Sequence, residues 1–307
     1  MSAGLRIAGA GLAGLLAAHA WPMARVFEPQ SGPRPEHRAL LRFRTQDVAN
    51  LVGVEFHPVT VRKAIWYDGG FCAANIKLAN LYSRKILGRI VGDRSIWNLD
   101  PVQRFIAPED LYDQLVEHVG ARVAWGIPCD YADRTTPIIS TAPLPIVVQE
   151  LRLETGLKYP RAAIRVERWR VPNCSAYQTV YFPDDAISIY RASVTGDLLI
   201  IESTATVQLD ADELADERSQ VFRVFGFYEQ PQLLEAVQQK FGKIVPLPDG
   251  ERRALLYRLT SEFGVFSLGR FATWRNVLLD DVVQDIAVVR RLLRSSKYEQ
   301  KLLQNEM

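Results

Sequence analysis

The stretch "LRIAGAGLAGLLAAHAWPMARVFEPQ", Leu5 to Gln30, decides the fold predicted for this chain. It opens on a short β-type run, passes three glycines spaced G-x-G-x-x-G, and continues into an Ala- and Leu-rich run typical of a helix. A second β-type run follows and ends at Glu28, 19 residues after the first glycine. This order of strand, turn, helix and strand, closed by an acid at that distance, predicts a dinucleotide-binding unit.

Each glycine of this unit has a physical role. Gly9 permits the tight turn, Gly11 lets the backbone approach a pyrophosphate, and Gly14 lets the helix pack closely on the strand. The helix N-terminus offers N–H groups and the positive end of the helix dipole to the phosphates. Glu28 can accept hydrogen bonds from ribose hydroxyls and would repel a 2′-phosphate. The stretch therefore favours FAD or NAD over NADP and leaves the choice between those two open.

The composition indicates a folded, globular protein. The 307 residues are 48% hydrophobic and 23% charged, which argues against disorder, and a net charge of +2 predicts no strong overall attraction to nucleic acid. The charge is uneven, because residues 61–104 hold eight Lys and Arg against three Asp, which permits a local basic patch. Scattered cysteines and histidines give no zinc pattern. Since no apolar run approaches the ~20 residues of a membrane span and no signal peptide is visible, we expect a cytoplasmic protein with neither a metal nor a membrane partner.

The rest of the chain predicts nucleotide-binding elements interleaved with an antiparallel sheet, an arrangement more typical of flavoproteins than of nicotinamide dehydrogenases. Alternating runs separated by turns predict the sheet between Arg161 and Thr206. Helices are predicted at residues 107–120, 210–226, 230–242 and 280–303. The predicted fold class is α/β, a Rossmann-like FAD-binding domain with an inserted antiparallel-sheet substrate domain. We expect the FAD-binding domain at 1–45, 100–145 and 260–307, and the substrate domain at 46–99 and 146–259.

Two further motifs follow the glycine unit. They are "IISTAPLP", Ile138–Pro145, and "SLGRFATWRNVLLDDV", Ser267–Val282. Together with the glycines and Glu28 they resemble the two-dinucleotide-binding-domain flavoproteins, which include amine oxidases, glycine-oxidase-like enzymes and UDP-galactopyranose mutases. The last motif is similar to the mutase-type GR-x-x-x-Y segment, although Trp274 and Asn276 stand where that pattern has Tyr. No GG pair follows Glu28, and covalent flavin attachment is not implied.

The resemblance implies FAD as the cofactor. Gly269 would let the backbone approach the cofactor, Arg270 would serve its phosphates or ring edge, and the helix N-terminus after Leu278 would stabilise negative charge on reduced flavin. The residues expected to contact FAD are Gly9, Ala10, Gly11, Leu12, Ala13, Gly14, Glu28, Pro29, Val123, Thr141, Ala142, Pro143, Gly269, Arg270, Asn276, Val277 and Leu278.

A narrower resemblance rests on four stretches: "LRFRT" (41–45), "KAIWYDGG" (63–70), "LANLYSRK" (78–85) and "RSIWNLDPVQRFIAPEDLYDQL" (94–115). They are similar to short flavoproteins of tailed bacteriophages that hypermodify thymine in DNA, where an amino acid joined to the 5-methyl carbon of uracil is trimmed by a flavoenzyme described as a lyase. This resemblance implies FAD-dependent oxidation of a glycine adduct to aminomethyl-uracil and glyoxylate. Modified DNA or a nucleotide would be the substrate, and O₂ the electron acceptor.

The catalytic candidates follow from that chemistry. Arginine is the natural clamp for a glycine carboxylate, because its planar fork matches two carboxylate oxygens. Arg42 and Arg44 alternate along a predicted strand and are expected to share a face, and Arg191 beside Tyr190 is a further candidate. Trp274 could line the flavin or a planar base. The sequence identifies no dedicated general base.

Several functions remain open on the sequence alone. The first is the FAD-dependent amine oxidation just described, or amine oxidation of another small molecule. The second is a redox-neutral mutase reaction on a nucleotide sugar, and the third is a non-catalytic FAD-binding scaffold. Production of hydrogen peroxide from a glycine adduct supports the first, and activity only after dithionite reduction supports the second.

Overall fold

The computed structural model describes residues 4–33, 42–91, 95–205 and 209–295. Within these ranges the strands are β1 Arg6–Ala8, β2 Arg25–Glu28, β3 Arg42–Phe43, β4 His57–Tyr67, β5 Gly70–Cys72, β6 Val102–Ile106, β7 Val123–Trp125, β8 Ile138–Ser140, β9 Arg161–Arg170, β10 Ala176–Tyr181, β11 Ile189–Gly196, β12 Leu198–Thr204, β13 Gln232–Ile244 and β14 Val265–Ser267. The α-helices are α1 Leu12–Ala20, α2 Asp47–Val52, α3 Ile76–Leu87, α4 Leu111–Val119, α5 Leu144–Glu150, α6 Ala211–Phe225, α7 Asp249–Phe263, α8 Arg270–Thr273 and α9 Leu279–Leu292.

The chain forms two compact units. The first is built from Met1–His57, Phe105–Tyr159 and Val245–Met307, and the second from Pro58–Arg104 and Pro160–Ile244. Residues 46–57, 146–159 and 245–259 therefore lie in the first unit and residues 100–104 in the second, so the unit boundaries differ from the expected domain boundaries at these positions. The reason is packing, because α2 lies against α1 and α9, and α7 lies against β14. The functional labels of the two predicted domains stay predictions.

The first unit is organised around a parallel five-stranded sheet in the order β14-β8-β1-β2-β7. Its strands are short and largely apolar, and Ile7, Val26 and Ile139 are fully buried, as expected for a parallel sheet covered on both faces. The chain runs from β1 to β2 on one side and later adds β8 on the other side of β1. The strand order thus reverses between β1 and β8, and the crevice at the carboxyl ends of these strands is where such sheets bind ligands.

Helix α1 occupies the centre of this unit. Its Ala- and Leu-rich sequence buries Leu15, Leu16 and Ala17, and the helix packs against α4 and α9. The small side chains permit close approach of neighbouring helices and strands, while α9 contributes an apolar stripe that includes Ile286 and Val289. This packing fixes the direction of the α1 N-terminus relative to the end of β1.

The second unit is a mostly antiparallel sheet with strands in the order β13-β9-β12-β11-β10-β4-β6, in which β10 and β4 run parallel. The antiparallel sheet predicted between Arg161 and Thr206 is present as β9 to β12. Helix α6 packs on one face, where Phe222 meets Trp169. Helix α3 packs on the other, where Tyr82 meets Tyr181.

Residues 230–242 were predicted as a helix, and this prediction was wrong: Gln232–Ile244 is strand β13. The segment "QLLEAVQQKF" is rich in good helix formers, which explains the prediction. In the structure it pairs antiparallel with β9 over almost its whole length, and this tertiary pairing overrides the local preference. Helices α3, α5, α7 and α8 were not predicted either.

Candidate dinucleotide-binding site

The turn between β1 and α1 requires glycine at two positions. Gly9 has φ +100°, and a Cβ built there would lie 2.5 Å from Thr141 Oγ1. A Cβ on Gly14 would lie 1.9 Å from the carbonyl oxygen of Gly9, which is backbone and cannot turn away. Gly11 is the residue that precedes α1, in an extended conformation. The loop therefore has the tight, side-chain-free geometry that close approach of a pyrophosphate needs.

Glu28 is anchored against this loop. It ends β2, and its Oε2 accepts a hydrogen bond from the Ala10 N–H at 2.8 Å while its Oε1 accepts one from the Gln30 N–H at 3.1 Å. The carbonyl of Ala10 is in turn bonded by the buried hydroxyl of Tyr112 at 3.3 Å. Carboxylate, loop and tyrosine together hold the turn in one conformation. Pro29 directly follows Glu28 at this edge of the sheet.

The ends of β8 and β14 reach the same glycine loop. After β8, the Thr141 N–H and Oγ1 both donate to the carbonyl oxygen of Ala8, at 2.9 and 2.8 Å. After β14, Gly269 has φ +88°, and a Cβ built there would lie 3.0 Å from the Cβ of Ala13 in α1. The structure thus brings together the three motifs that lie far apart in the sequence. Ala142 and Pro143 continue from Thr141 into α5.

The segment after Gly269 forms the short helix α8. Arg270 lies at its start, with its guanidinium 5.6 Å from the ring centroid of Phe271. Trp274 ends the helix in a left-handed conformation, with φ +49°, and is fully buried with its ring edge-on to Tyr159 at 5.3 Å. The observed role of Trp274 is therefore packing within the first unit.

The N-terminus of α9 follows Asn276, Val277 and Leu278 and carries two acids in its first turn. The Leu278 N–H donates to Asp281 Oδ2 at 2.7 Å. Asp280 is buried and accepts hydrogen bonds from the Arg44 N–H at 3.1 Å and the Thr45 N–H at 3.0 Å. These bonds tie the segment after β3 to the start of α9, an arrangement that was not predicted from the sequence. The acids in the first turn were its only sequence signal.

Arg42 and Arg44 do not share a strand face, and that prediction was wrong. Strand β3 covers only Arg42 and Phe43, which pair with β6, and Arg44 lies beyond it. The Arg44 guanidinium forms an ion pair with Asp281, and its Nε lies 3.8 Å from Asp280 Oδ2. The chain leaves the strand at this point because the backbone N–H of Arg44 turns to the buried Asp280 carboxylate.

Arg191 belongs to the second unit and lies in a buried polar cluster on β11 and β12. A register irregularity between Ile189 and Arg191 lets both Tyr190 and Arg191 reach Glu202: the Tyr190 hydroxyl donates to Glu202 Oε1 at 2.9 Å, and Arg191 Nε donates to Oε2. Lys243 Nζ lies 3.5 Å from the same carboxylate. Burial opposes ionisation of Glu202, but Arg191 and Lys243 outweigh it and lower its pKa to about 2.

Val123 starts β7 beside β2, where it pairs with Val26 and is buried. Its place next to the strand that ends in Glu28 is compatible with the predicted cofactor contact, which stays a prediction.

Part of the basic excess in residues 61–104 is used inside the second unit. Lys85 Nζ donates to three backbone carbonyls, those of Phe182 at 2.9 Å, Asp184 at 2.5 Å and Ile189 at 2.6 Å. Lys63 Nζ donates to the carbonyl of Asn98 at 2.6 Å. These ammonium groups hold the fold together, so a smaller set of cations is left for a ligand than the sequence count indicates.

No described helix is long and apolar enough to cross a membrane. No group of three or more His, Cys, Asp or Glu side chains in the described ranges is arranged to hold a metal ion.

Comparison with known proteins finds similar structures but no similar sequence. No family model matches the chain, and no curated protein matches it in sequence. The structure is similar to that of reduced UDP-galactopyranose mutase, with a TM-score of 0.70, 14% identity, and coverage of 95% of this chain and 94% of that one. It is also similar to a fatty acid isomerase from P. acnes that produces CLA, with a TM-score of 0.58, 11% identity, and coverage of 93% and 98%. An oxidoreductase from Methanosarcina mazei aligns with a TM-score of 0.54, 10% identity, and coverage of 94% and 100%.

These likenesses show the fold. It is a mixed α/β fold with a parallel sheet and a second, mostly antiparallel sheet, as in the mutase, the isomerase and the oxidoreductase, so the predicted α/β fold class is confirmed. The glycine loop, Glu28 and the neighbouring strand ends are consistent with FAD as the cofactor.

Proposed function

We propose that this chain is an FAD-dependent enzyme. The observation that carries the proposal is the glycine turn at the carboxyl end of β1, where a side chain on Gly9 or Gly14 would collide with Thr141 Oγ1 or with backbone. An acid stands at the end of the adjacent strand, as a ribose would require. The donor set fits a dinucleotide: N–H groups at a helix N-terminus for phosphates, and a carboxylate for hydroxyls.

Different residues of the first unit would bind different parts of FAD. The N–H groups of Leu12 and Ala13 at the start of α1 would bind the pyrophosphate, and Glu28 would accept from the ribose hydroxyls. Gly269 would keep side-chain atoms away from the cofactor, and the N-terminus of α9 would stabilise negative charge. Bound FAD supplies two-electron redox chemistry.

For the reaction itself we propose amine oxidation with a lyase outcome on a glycine-modified thymine. The net reaction consumes the N-linked glycine adduct, O₂ and water, and gives aminomethyl-uracil, glyoxylate and hydrogen peroxide. The two electrons leave the C–N unit of glycine and reduce O₂, and hydrolysis of the resulting imine divides the adduct. What supports this choice is the resemblance of the stretches at 41–45, 63–70, 78–85 and 94–115 to the phage flavoproteins.

Within this proposal an arginine anchors the glycine carboxylate, because a bidentate fork orients the α-carbon as well as binding it. Arg42, Arg44 and Arg191 remain the candidates. The substrate is DNA or a nucleotide, and the remaining exposed cations of residues 61–104 would meet its phosphates. Binding of a polymer would then weaken as salt rises.

A redox-neutral mutase is the second candidate, and one observation favours it. The structure most similar by TM-score among those described above is reduced UDP-galactopyranose mutase. A fold at this identity hosts different chemistries, so the likeness is an argument by analogy. A mutase would act on a nucleotide sugar and need prior reduction of its flavin.

One set of assays separates these functions. The purified protein is expected to be yellow and to release FAD, not FMN, on denaturation; a colourless protein that binds NAD⁺ would contradict the cofactor proposal. Nucleosides from glycyl-modified DNA are then analysed by mass spectrometry after incubation with the FAD-loaded enzyme in air. Loss of the adduct with matching glyoxylate and peroxide supports the amine oxidation. An intact adduct, with turnover of a nucleotide sugar only after dithionite reduction, moves the mutase ahead. FAD retention without either activity supports a scaffold.

A further inference from the structure

The second unit contains a cavity of about 570 Å³ between its sheet and α6. This volume lies within the range of small-molecule sites in proteins. The lining residues come from β9, β12, β13, α6 and the loops beside them: Arg165, Ser188, Ser203, Thr204, Ala205, Leu209, Leu214, Ala236, Val237 and Gln238.

A row of three polar side chains crosses the floor of this cavity. Ser203 on β12 and Gln238 on β13 both lie directly opposite Arg165 on β9, so all three project from the same face of the sheet. Directly paired side chains on neighbouring strands are close enough for both to contact the same functional group of a ligand. The Ser203 hydroxyl, the Gln238 amide and the Arg165 Nη groups make no hydrogen bond to any residue in the described ranges.

The floor of the cavity has a net positive charge, because Arg165 shares its carboxylate partner, Glu167, with Arg218. The buried Glu167 accepts from Arg218 Nη2 at 2.7 Å and Nε at 2.9 Å, and from Trp169 Nε1 at 3.1 Å. The Nε of Arg165 lies 2.8 Å from the same carboxylate. Two guanidinium groups therefore share one carboxylate, which also fixes the position of Arg165.

A second carboxylate, which contacts the lining residue Ser188, is already committed. Glu217 of α6 accepts hydrogen bonds from the backbone N–H of Ser188 and from its hydroxyl, the latter at 2.5 Å. The Arg165 fork, with a hydroxyl on one side and an amide on the other, is the donor set that recognises carboxylates and phosphates. Leu209 and Leu214 supply an apolar wall beside it.

We propose that this cavity is a binding site for a small organic anion. The carboxylate or phosphate group lies against Ser203, Arg165 and Gln238, and the apolar body of the ligand packs against Leu209 and Leu214. The site is formed by the second unit alone and does not depend on the proposed FAD chemistry.

Isothermal titration calorimetry of the full chain tests the proposal with three probes: butyrate, inorganic phosphate and butylammonium. Saturable one-to-one binding is expected for an anion and none for butylammonium. Arg165→Met is expected to weaken binding at least about tenfold, because a hydrogen bond to a charged group is lost. Gln238→Glu is expected to abolish binding by placing a negative charge in the floor, and the exposure of Gln238 lets this variant fold.

Arg170→Met is the matched control. Arg170 lies on the same strand, its side chain is 36% exposed against 34% for Arg165, and it pairs with Asp197. Since side chains alternate along a strand, it does not share the face of Arg165, and its replacement should leave binding unchanged.

The two anions identify the ligand class. Tighter binding of butyrate assigns the site to carboxylates with an apolar body, and tighter binding of phosphate assigns it to phosphorylated compounds. Either result supports the site if both variants lose binding. Absence of saturable heat with both anions overturns the proposal, and so does an equal loss in Arg170→Met. If Arg165→Met does not fold, as judged by circular dichroism, the comparison of Gln238→Glu with wild type decides.

Discussion

Replacing Gly14 by alanine tests the central element of the fold. The new Cβ would lie 1.9 Å from the carbonyl oxygen of Gly9 and 2.9 Å from its carbonyl carbon, whereas real Cβ atoms keep at least 3.0 Å from such neighbours. Backbone must therefore move by more than an ångström. Neither α1 nor the turn can yield alone, because the Gly9 N–H is bonded to the carbonyl of Phe27 at 2.8 Å and α1 is packed in the core.

The expected cost follows from overpacking. Extra methyl groups in well-packed sites destabilise proteins by about 1–3 kcal/mol, and a clash with backbone falls at the upper end. A loss of about 3 kcal/mol lowers the melting temperature of a unit of this size by roughly 6–12 °C. The displaced turn should also weaken FAD binding at least about tenfold, since each 1.4 kcal/mol is a factor of ten.

Gly250→Ala provides the control for this experiment. Gly250 lies in the first turn of α7, and a Cβ built there meets no atom within 4 Å. The same substitution should stabilise the protein there, by up to about 1 kcal/mol, because alanine is the better helix former. Differential scanning calorimetry and the flavin absorbance of the purified protein measure both effects. A Gly14→Ala protein with wild-type melting temperature and flavin content would refute the geometry of the turn.

Three further predictions concern single side chains. Glu202 has a pKa lowered to about 2, so its contribution to stability is complete above its usual value of 4.5 and is lost as the pH falls from there toward 2. In urea unfolding, Glu202→Gln should reduce the difference in the free energy of unfolding between pH 7 and pH 3 by about 1–3 kcal/mol, a range that allows for the partly exposed Arg191. An unchanged difference would contradict the proposed charge interactions of Glu202. Thr141→Val removes the hydrogen bond from the hydroxyl to the Ala8 carbonyl, which is worth about 1 kcal/mol, and should weaken FAD binding several-fold in fluorescence titration. Thr141→Ser keeps the hydroxyl and should bind FAD like wild type. Lys85→Met strips three backbone carbonyls of their donor and should cost about 2–4 kcal/mol in chemical unfolding; wild-type stability would show that water replaces the ammonium.

The glycine unit could be predicted from the sequence because its constraints are local. Gly9, Gly14 and Glu28 lie within one βαβ segment, and the physical demands on each are set by residues close in the chain. Strand β13 could not be predicted in this way, because its conformation depends on pairing with β9, which lies more than 60 residues earlier in the chain. The intrinsic propensity of "QLLEAVQQKF" favours a helix, and hydrogen bonding to the edge of β9 overrides that preference.

Part of the candidate site was predictable and part was not. Thr141 and Gly269 were placed near the cofactor by motif order, and the structure brings both to the start of α1. The hydrogen bonds from the segment after β3 to Asp280 could not be predicted from the sequence. They join residues 235 or more positions apart, and their backbone N–H donors carry no sequence signature. The same holds for Tyr112, whose hydroxyl meets the turn from a separate helix.

The step from fold to reaction depends on which arginine can still bind a ligand. Similar folds occur in a mutase and in an isomerase, so the fold alone does not select the chemistry. Arg44 commits Nη2 to Asp281, with Nε close to Asp280. Arg191 donates to Glu202 through Nε, and within the described ranges its Nη groups make no hydrogen bond. A guanidinium held on one edge by a buried carboxylate has its position fixed before the ligand arrives, which lowers the entropy cost of binding. Its other edge keeps the fork that a substrate carboxylate or phosphate needs, and on this ground Arg191 is a better anion anchor than Arg44.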